Sequence, residues 1–117
     1  MGRPRAFDTD TVLAAAVDVF TTRGYSAASV DEILAATQIR RASLYNAFGS
    51  KRGLFLAALR SPASTMDLLL VALLELAPDD ETVRDEIGAM LAAQQIDDRA
   101  LGAALLRRAG LERSETT

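Results

Sequence analysis

The segment from Ser29 to Lys51, SVDEILAATQIRRASLYNAFGSK, constrains this chain more than any other part of it. Ser29 followed three residues later by Glu32 is a capping box, so a helix starts there with two of its free N–H groups satisfied locally. Ile33 and Leu34 point that helix inward. Thr37-Gln38-Ile39-Arg40 then has the composition of a turn, with Ile39 as the one apolar residue available to plug the gap between two helices. A second short helix is predicted from about Arg41 to Phe48, where Leu44 and Phe48 lie four apart and share the core face. Arg41, Ser43, Tyr45 and Asn46 are left on its remaining surface. Gly49 ends it, and Ser50 caps a further helix that carries Leu54, Phe55, Ala58 and Leu59 inward. Capped helix, short turn and polar second helix are the layout of a helix-turn-helix, in which one helix enters the DNA major groove while its neighbours grip phosphates.

Helical spacing continues on both sides. A first helix is predicted from about Thr9 to Arg23, with Phe7 and Asp8 as staple and N-cap and Leu13, Ala16, Val17 and Phe20 as its buried stripe. Gly24 sits where a left-handed residue would end that helix, and Tyr25 packs back. Past residue 60, Pro62 is placed as the first residue of a helix running to about Ala77. That helix is apolar nearly all round from Leu68 to Leu76, so it has to be covered on more than one side. Pro78-Asp79-Asp80-Glu81 restarts a helix with acids in its first turn, and Val83, Ile87, Met90 and Leu91 face inward. A last helix opens at Asp97 or Asp98, holds Leu101, Leu105 and Leu106, and closes at Arg107, Arg108 and Gly110. Strand alternation is absent, and Pro occurs only at 4, 62 and 78. The expected fold class is all-α. A three-helix DNA-binding domain occupies 6–60, with the helix-turn-helix at about 29–48. A short helical C-terminal region of about three helices follows at 61–111, and then a frayed tail at 112–117.

Composition removes whole classes of function. The 117 residues include no Cys, His or Trp, which excludes disulfides, Cys/His zinc sites and His-based catalysis. No Gly-rich phosphate loop or apolar acid pair is present, so no enzyme, metal or cofactor is expected. Met1-Gly2-Arg3-Pro4-Arg5 lacks an apolar stretch after its basic residues and does not read as a signal peptide. The apolar run Leu68 to Leu74 is too short to span a bilayer, and a cytoplasmic location is expected, with no membrane partner. The net charge of −3 hides an asymmetry. Residues 1–60 hold eight Arg/Lys against five acids, whereas residues 61–117 hold five against eleven. A basic half beside an acidic half fits one part meeting a polyanion while the other is turned from it.

The residues expected at DNA are Arg3, Arg5, Ser29, Arg40, Arg41, Ser43, Tyr45, Asn46 and Lys51. A guanidinium at Arg41 can bond guanine O6 and N7 together, or can meet a phosphate. Asn46 can pair with an adenine edge or serve as a polar surface residue, and Ser43 is short enough for a base or a phosphate. Lys51 opposes the dipole of the helix it opens, a placement that makes sense if a phosphate lies there. Arg40 cannot cap the helix it precedes, at a cost of about 1 kcal/mol, and a phosphate contact would offset that; neutral drift is the alternative. Arg3 and Arg5 flank a Pro in an arm that can reach a minor groove, lie along phosphates, or be an ordinary basic terminus.

Residues 7–59 resemble the N-terminal DNA-binding domain of the TetR family of bacterial repressors. The resemblance is carried by Ala15, Ala16, Phe20, Gly24, Tyr25, Ser29, Ile33, Ala36, Ile39, Ser43, Leu44, Tyr45, Phe48, Ser50, Lys51 and Leu54, and above all by Leu-Tyr-x-x-Phe-x-x-Lys at 44–51. It implies a homodimeric transcriptional regulator on a near-palindromic operator, usually released by an effector bound in the C-terminal domain. It also implies that the Tyr45 hydroxyl meets a phosphate while its ring packs; packing alone is the alternative. Two positions depart from the family pattern: Gln38, where Gly is common, and Arg40, where Ser or Thr is usual.

Family C-terminal domains are longer than the three helices expected here. The second half can therefore belong to a small regulator that dimerises through its apolar helices, to a truncated product of a larger one, or to a partner-binding module beside a vestigial reader. Dimerisation is favoured, because a lone apolar helix leaves a large patch exposed. Leu69, Leu70, Leu73, Leu74, Leu101 and Leu105 are its candidate residues. A small-molecule effector has room between the fourth, fifth and sixth helices, with few polar groups to orient it.

Overall fold

The structure, a computed structural model, describes residues 8–111. Arg3, Arg5, Phe7 and the expected tail at 112–117 lie outside the described residues. Among the described residues every regular element is helical. The chain runs through α1 (Thr9–Arg23), α2 (Val30–Thr37), α3 (Arg41–Phe48), α4 (Lys51–Arg60) and α5 (Met66–Val71). A π-helical turn (Ala72–Leu76) and a 3-10 turn (Ala77–Asp79) lead to α6 (Glu81–Gln94) and α7 (Asp98–Arg108).

The local signals in the first half act as expected. Asp8 caps α1 by accepting the Asp10 N–H at 3.1 Å. Ser29 and Glu32 exchange both bonds of the capping box, at 3.0 and 2.9 Å. Gly24 does end α1 with a positive φ, but its φ of 85° and ψ of 179° lie outside the left-handed helical well, in a region that essentially only glycine enters. Gln38 takes the left-handed conformation itself (φ 62°, ψ 24°) and returns its N–H to the Leu34 carbonyl.

The second half departs from expectation at both prolines. Pro62 does not open a helix. As the residue before a proline, Ser61 is pushed into extended backbone (φ −81°, ψ 162°), and its hydroxyl takes the Ala63 N–H at 3.2 Å. The helix starts only at Met66, where the Thr65 hydroxyl caps the Leu68 N–H. Pro78 likewise does not begin α6, which is capped by Asp80. Having no N–H, Pro78 interrupts the α ladder, and the backbone widens to π before it and tightens to 3-10 around it.

One hydrophobic cluster runs from α1 into α6. Phe20 and Phe55, both fully buried, meet edge to face at 5.0 Å, and Tyr25 packs on both. Each such phenylalanine contributes about 1.5–3 kcal/mol relative to exposure. The cover that the apolar stretch around Leu70 requires comes from the same chain. α5 packs on α1 and α7, and the π-helical turn packs on α6. Two forked ion pairs stitch α4 to α6. Arg52 binds both oxygens of Asp80 at 2.8 and 3.2 Å, and Arg60 binds both oxygens of Glu86. At the other end Arg108 donates to the Thr21 carbonyl at 2.7 Å, covering an open C-terminal acceptor of α1 with a cation.

Candidate nucleic-acid interface

α3 is held by one face and offers the other. Leu44 is fully buried and Phe48 is packed against the core. At 100° per residue, Asn46 projects away from that stripe, with Tyr45 on one flank and Ser43 on the other, while Arg41, in the first turn, lies nearer the stripe on the Tyr45 side. Arg41, Asn46 and Arg40 are exposed, Tyr45 is 38% exposed and Ser43 is half-buried. Ala42 and Ala47 lie exposed beside Asn46 and are small enough to let a duplex approach closely. The sequence reading passed over them because an alanine carries no polar signal.

α3 is also fixed from behind. A Cβ at Gly53 of α4 would collide with the carbonyl oxygen of Phe48, so the absence of a side chain lets the two helices meet end to side. Arg40 occupies the N-cap position of α3 without a capping bond, as its chemistry dictates.

The polar groups around α3 are arranged unequally. The Arg41 guanidinium is paired with Asp31, in the first turn of α2. Nothing in the spacing of positions 31 and 41 announces that pair. The Ser29 hydroxyl is exposed but already accepts the Glu32 N–H, and the Ser29 N–H holds the Glu32 carboxyl below its ordinary range. Lys51 is half-buried. Its Nζ lies 4.5 Å above the Tyr25 ring and donates to the Ser26 carbonyl at 3.5 Å. Among the described residues, the side chains of Arg40, Tyr45 and Asn46 have no hydrogen-bonding or ionic partner, although the Arg40 and Tyr45 carbonyls accept helix bonds from Leu44 and Gly49. That leaves their polar ends available for a partner outside the chain.

The leucines expected at a dimer seam divide into three groups. Leu69 and Leu70 are 5% and 3% exposed and face the interior of this chain. Leu73 and Leu101 are half-buried. Leu74, at 60%, and Leu105, at 43%, remain on the surface. A cavity of about 490 Å³ opens where the ends of α4 and α6 meet the 61–65 turn and α5. Leu59, Met66, Leu69, Met90 and Ile96 form its apolar walls. Ser61, Ser64, Thr65 and Gln94 line it too, so it carries more polar groups than the sequence suggested.

Residues 12–58 match the sequence profile of the bacterial regulatory proteins of the tetR family. The same fold is seen in a cysteine mutant of the TetR family transcriptional regulator CifR, solved in complex with a 26-bp double-strand operator DNA. The two superpose with a TM-score of 0.54 at 30% identity, over 94% of this chain and 85% of that one. The chain belongs to the TetR family. Three curated relatives fit that assignment. An uncharacterized HTH-type transcriptional regulator of Bacillus subtilis, YezE, is 40% identical over 73% of this chain and 44% of its own length. Two HTH-type transcriptional repressors of Escherichia coli are also similar. ComR is 41% identical over 50% of this chain and 28% of its own, and BdcR is 39% identical over 70% and 40%. The chain thus spans less than half the length of the curated relatives it matches. The profile match lies wholly within the stretch on which the TetR resemblance was read from sequence. Among the described residues, no helix is long and apolar enough to cross a membrane.

Proposed function

We propose that this TetR-family chain is a sequence-specific DNA-binding transcriptional regulator, acting as a repressor on a near-palindromic operator. The observation that carries the reading is the exposed surface of α3. Arg41, Tyr45 and Asn46 are exposed there on a helix locked from behind by Leu44, Phe48 and the Gly53 contact. In this reading Arg41 and Asn46 read base edges in the major groove, while Ser29, Arg40, Ser43, Tyr45 and Lys51 hold phosphates. Arg3 and Arg5 would extend the grip along the groove.

One reader covers one half-site. Two chains are needed to span half-sites about 34–36 Å apart, and Leu74 and Leu105 are among the exposed apolar residues available to join them. The cavity between α4, α5 and α6 offers an effector an apolar wall and a rim of hydroxyls. A regulator of this kind works in the cytoplasm and catalyses no reaction.

The test is selection from a randomised duplex pool, combined with sedimentation of the protein on the recovered duplex. The expected result is a palindrome occupied by two chains, with affinity falling steeply as salt rises. Failure to enrich any sequence at low salt would sink the reading and favour a helical adaptor with a vestigial reader.

A further inference from the structure

Glu75 reaches out of the second half of the chain and closes on the first. Its Oε2 accepts the N–H of Tyr25 and its Oε1 that of Ser26, both at 2.9 Å and across 50 and 49 residues of sequence. Gly24, just before them, is buried, and a Cβ there would stand 2.6 Å from Oε2, so the turn has its shape where the carboxylate enters. Partial burial pushes the Glu75 carboxyl up, but the Ser26 and Tyr25 N–H groups outweigh it and leave the group below its usual range, ionised at neutral pH.

Lys51 sits on the same turn. The Tyr25 ring and the Ser26 carbonyl are the two groups that hold its ammonium, and they belong to the two residues whose N–H groups Glu75 binds. The Lys51 charge also acts directly on Glu75. The turn is thus gripped by an anion at its N–H groups and supports a cation by its ring and carbonyl.

We infer that Glu75 is a positioning residue for DNA binding, holding the Tyr25–Ser26 turn so that Lys51 is presented to a backbone phosphate. The inference rests on the DNA-binding reading above. It also runs against simple charge counting. Removing an anion from a DNA-binding protein strengthens association if charge alone matters, whereas loss of a positioning group weakens it.

The experiment uses the 117-residue chain, its Glu75→Gln, Lys51→Ala and double variants, and a mixed-sequence duplex titrated between about 50 and 200 mM salt. Glutamine keeps the size of the side chain, but presents an NH2 donor to one of the two N–H groups. The expected result is several-fold weaker binding by Glu75→Gln, with the log–log salt slope shallower by about 0.9, the value of one phosphate contact. Lys51→Ala should lose as much, and the double variant no more than either single one. Binding by Glu75→Gln that is unchanged or tighter, an unaltered slope, or losses that add in the double variant would overturn the role of Glu75. Amide exchange of the unsubstituted chain provides a reading that does not depend on any variant folding. The Tyr25 and Ser26 amides should be protected although Ser26 is exposed, and exchange at free-peptide rates would overturn the inference. Failure of the unsubstituted chain to bind any duplex would overturn the DNA-binding reading itself. That outcome is distinct from normal binding that Glu75→Gln leaves untouched.

Discussion

Gln38 and Arg40 flank Ile39 in the turn of the helix-turn-helix, and each gives up local stability. Left-handed backbone costs a residue with a Cβ about 1–2 kcal/mol, and Gln38 adopts it with its N–H bonded back to Leu34. Arg40 leaves the first N–H groups of α3 without a side-chain cap. The TetR resemblance flagged both positions, but only the backbone angles show that the turn keeps its geometry with a glutamine in place. Arg40→Ser should raise stability by about 1 kcal/mol, read from thermal melting. If Arg40 meets a phosphate, the same variant should also flatten the salt dependence of duplex binding by about one unit. A gain in melting temperature with an unaltered salt slope would reduce Arg40 to drift. Asp31 lay outside what the sequence could show, because its meeting with Arg41 depends on the angle between α2 and α3. At 79% and 54% side-chain exposure the pair itself contributes little, within about 1 kcal/mol. Its importance lies in where it holds the guanidinium.

Among the elements, α3 and α4 meet most closely where Gly53 faces the end of α3. Gly→Ala in a helix interior normally stabilises by about 1 kcal/mol. At Gly53 the added methyl would strike a backbone carbonyl, which cannot rotate aside as a side chain would. Overpacking of this sort costs about 1–3 kcal/mol. Gly53→Ala should therefore lower the melting temperature and weaken duplex binding together, since α3, the helix proposed to read bases, is the one displaced. A stabilised variant with normal binding would mean that the helices can separate freely. Helices α1, α2 and α4 were legible because each carries its own start signal, and α3 because the turn before it and Gly49 after it bound it on both sides. The 62–79 stretch was not. Periodicity sees one long apolar helix there, whereas Ser61, Thr65 and Pro78 compete through local hydrogen bonds, and the winner is decided by geometry within single turns. The π-helical turn has no signature in the sequence at all, and with it Glu75 escaped notice as the group that holds the Tyr25–Ser26 turn.

Over the whole molecule, acids from the second half are spent on the first. Asp80 and Glu86 are held below their ordinary range chiefly by bonds from Arg52 and Arg60, and Glu75 by the turn it binds. The acidic character of the second half therefore does more than keep that half away from a polyanion. Each of these groups has a folded pKa below its unfolded one, so its contribution is complete above the unfolded value and is lost as pH falls through the folded value. Stability should be flat near neutrality and decline below about pH 4.5, where free Asp and Glu protonate. Glu86→Gln should shallow that decline, as followed by denaturant melts at several pH values. An acid limb unchanged by that substitution would show that the pair with Arg60 is not formed in solution. The basic and acidic halves were visible from residue counts alone. That they are stitched to each other was not, because counting charges gives no partners.

Gly24 and Glu75 stand in an unequal relation. The backbone at Gly24 requires glycine whether or not a carboxylate lies beside it, and a Cβ there would in addition crowd the seated Glu75 carboxylate. Related proteins should therefore include some with the glycine and no acid at the position of Glu75, and none with the acid seated on that turn but lacking the glycine.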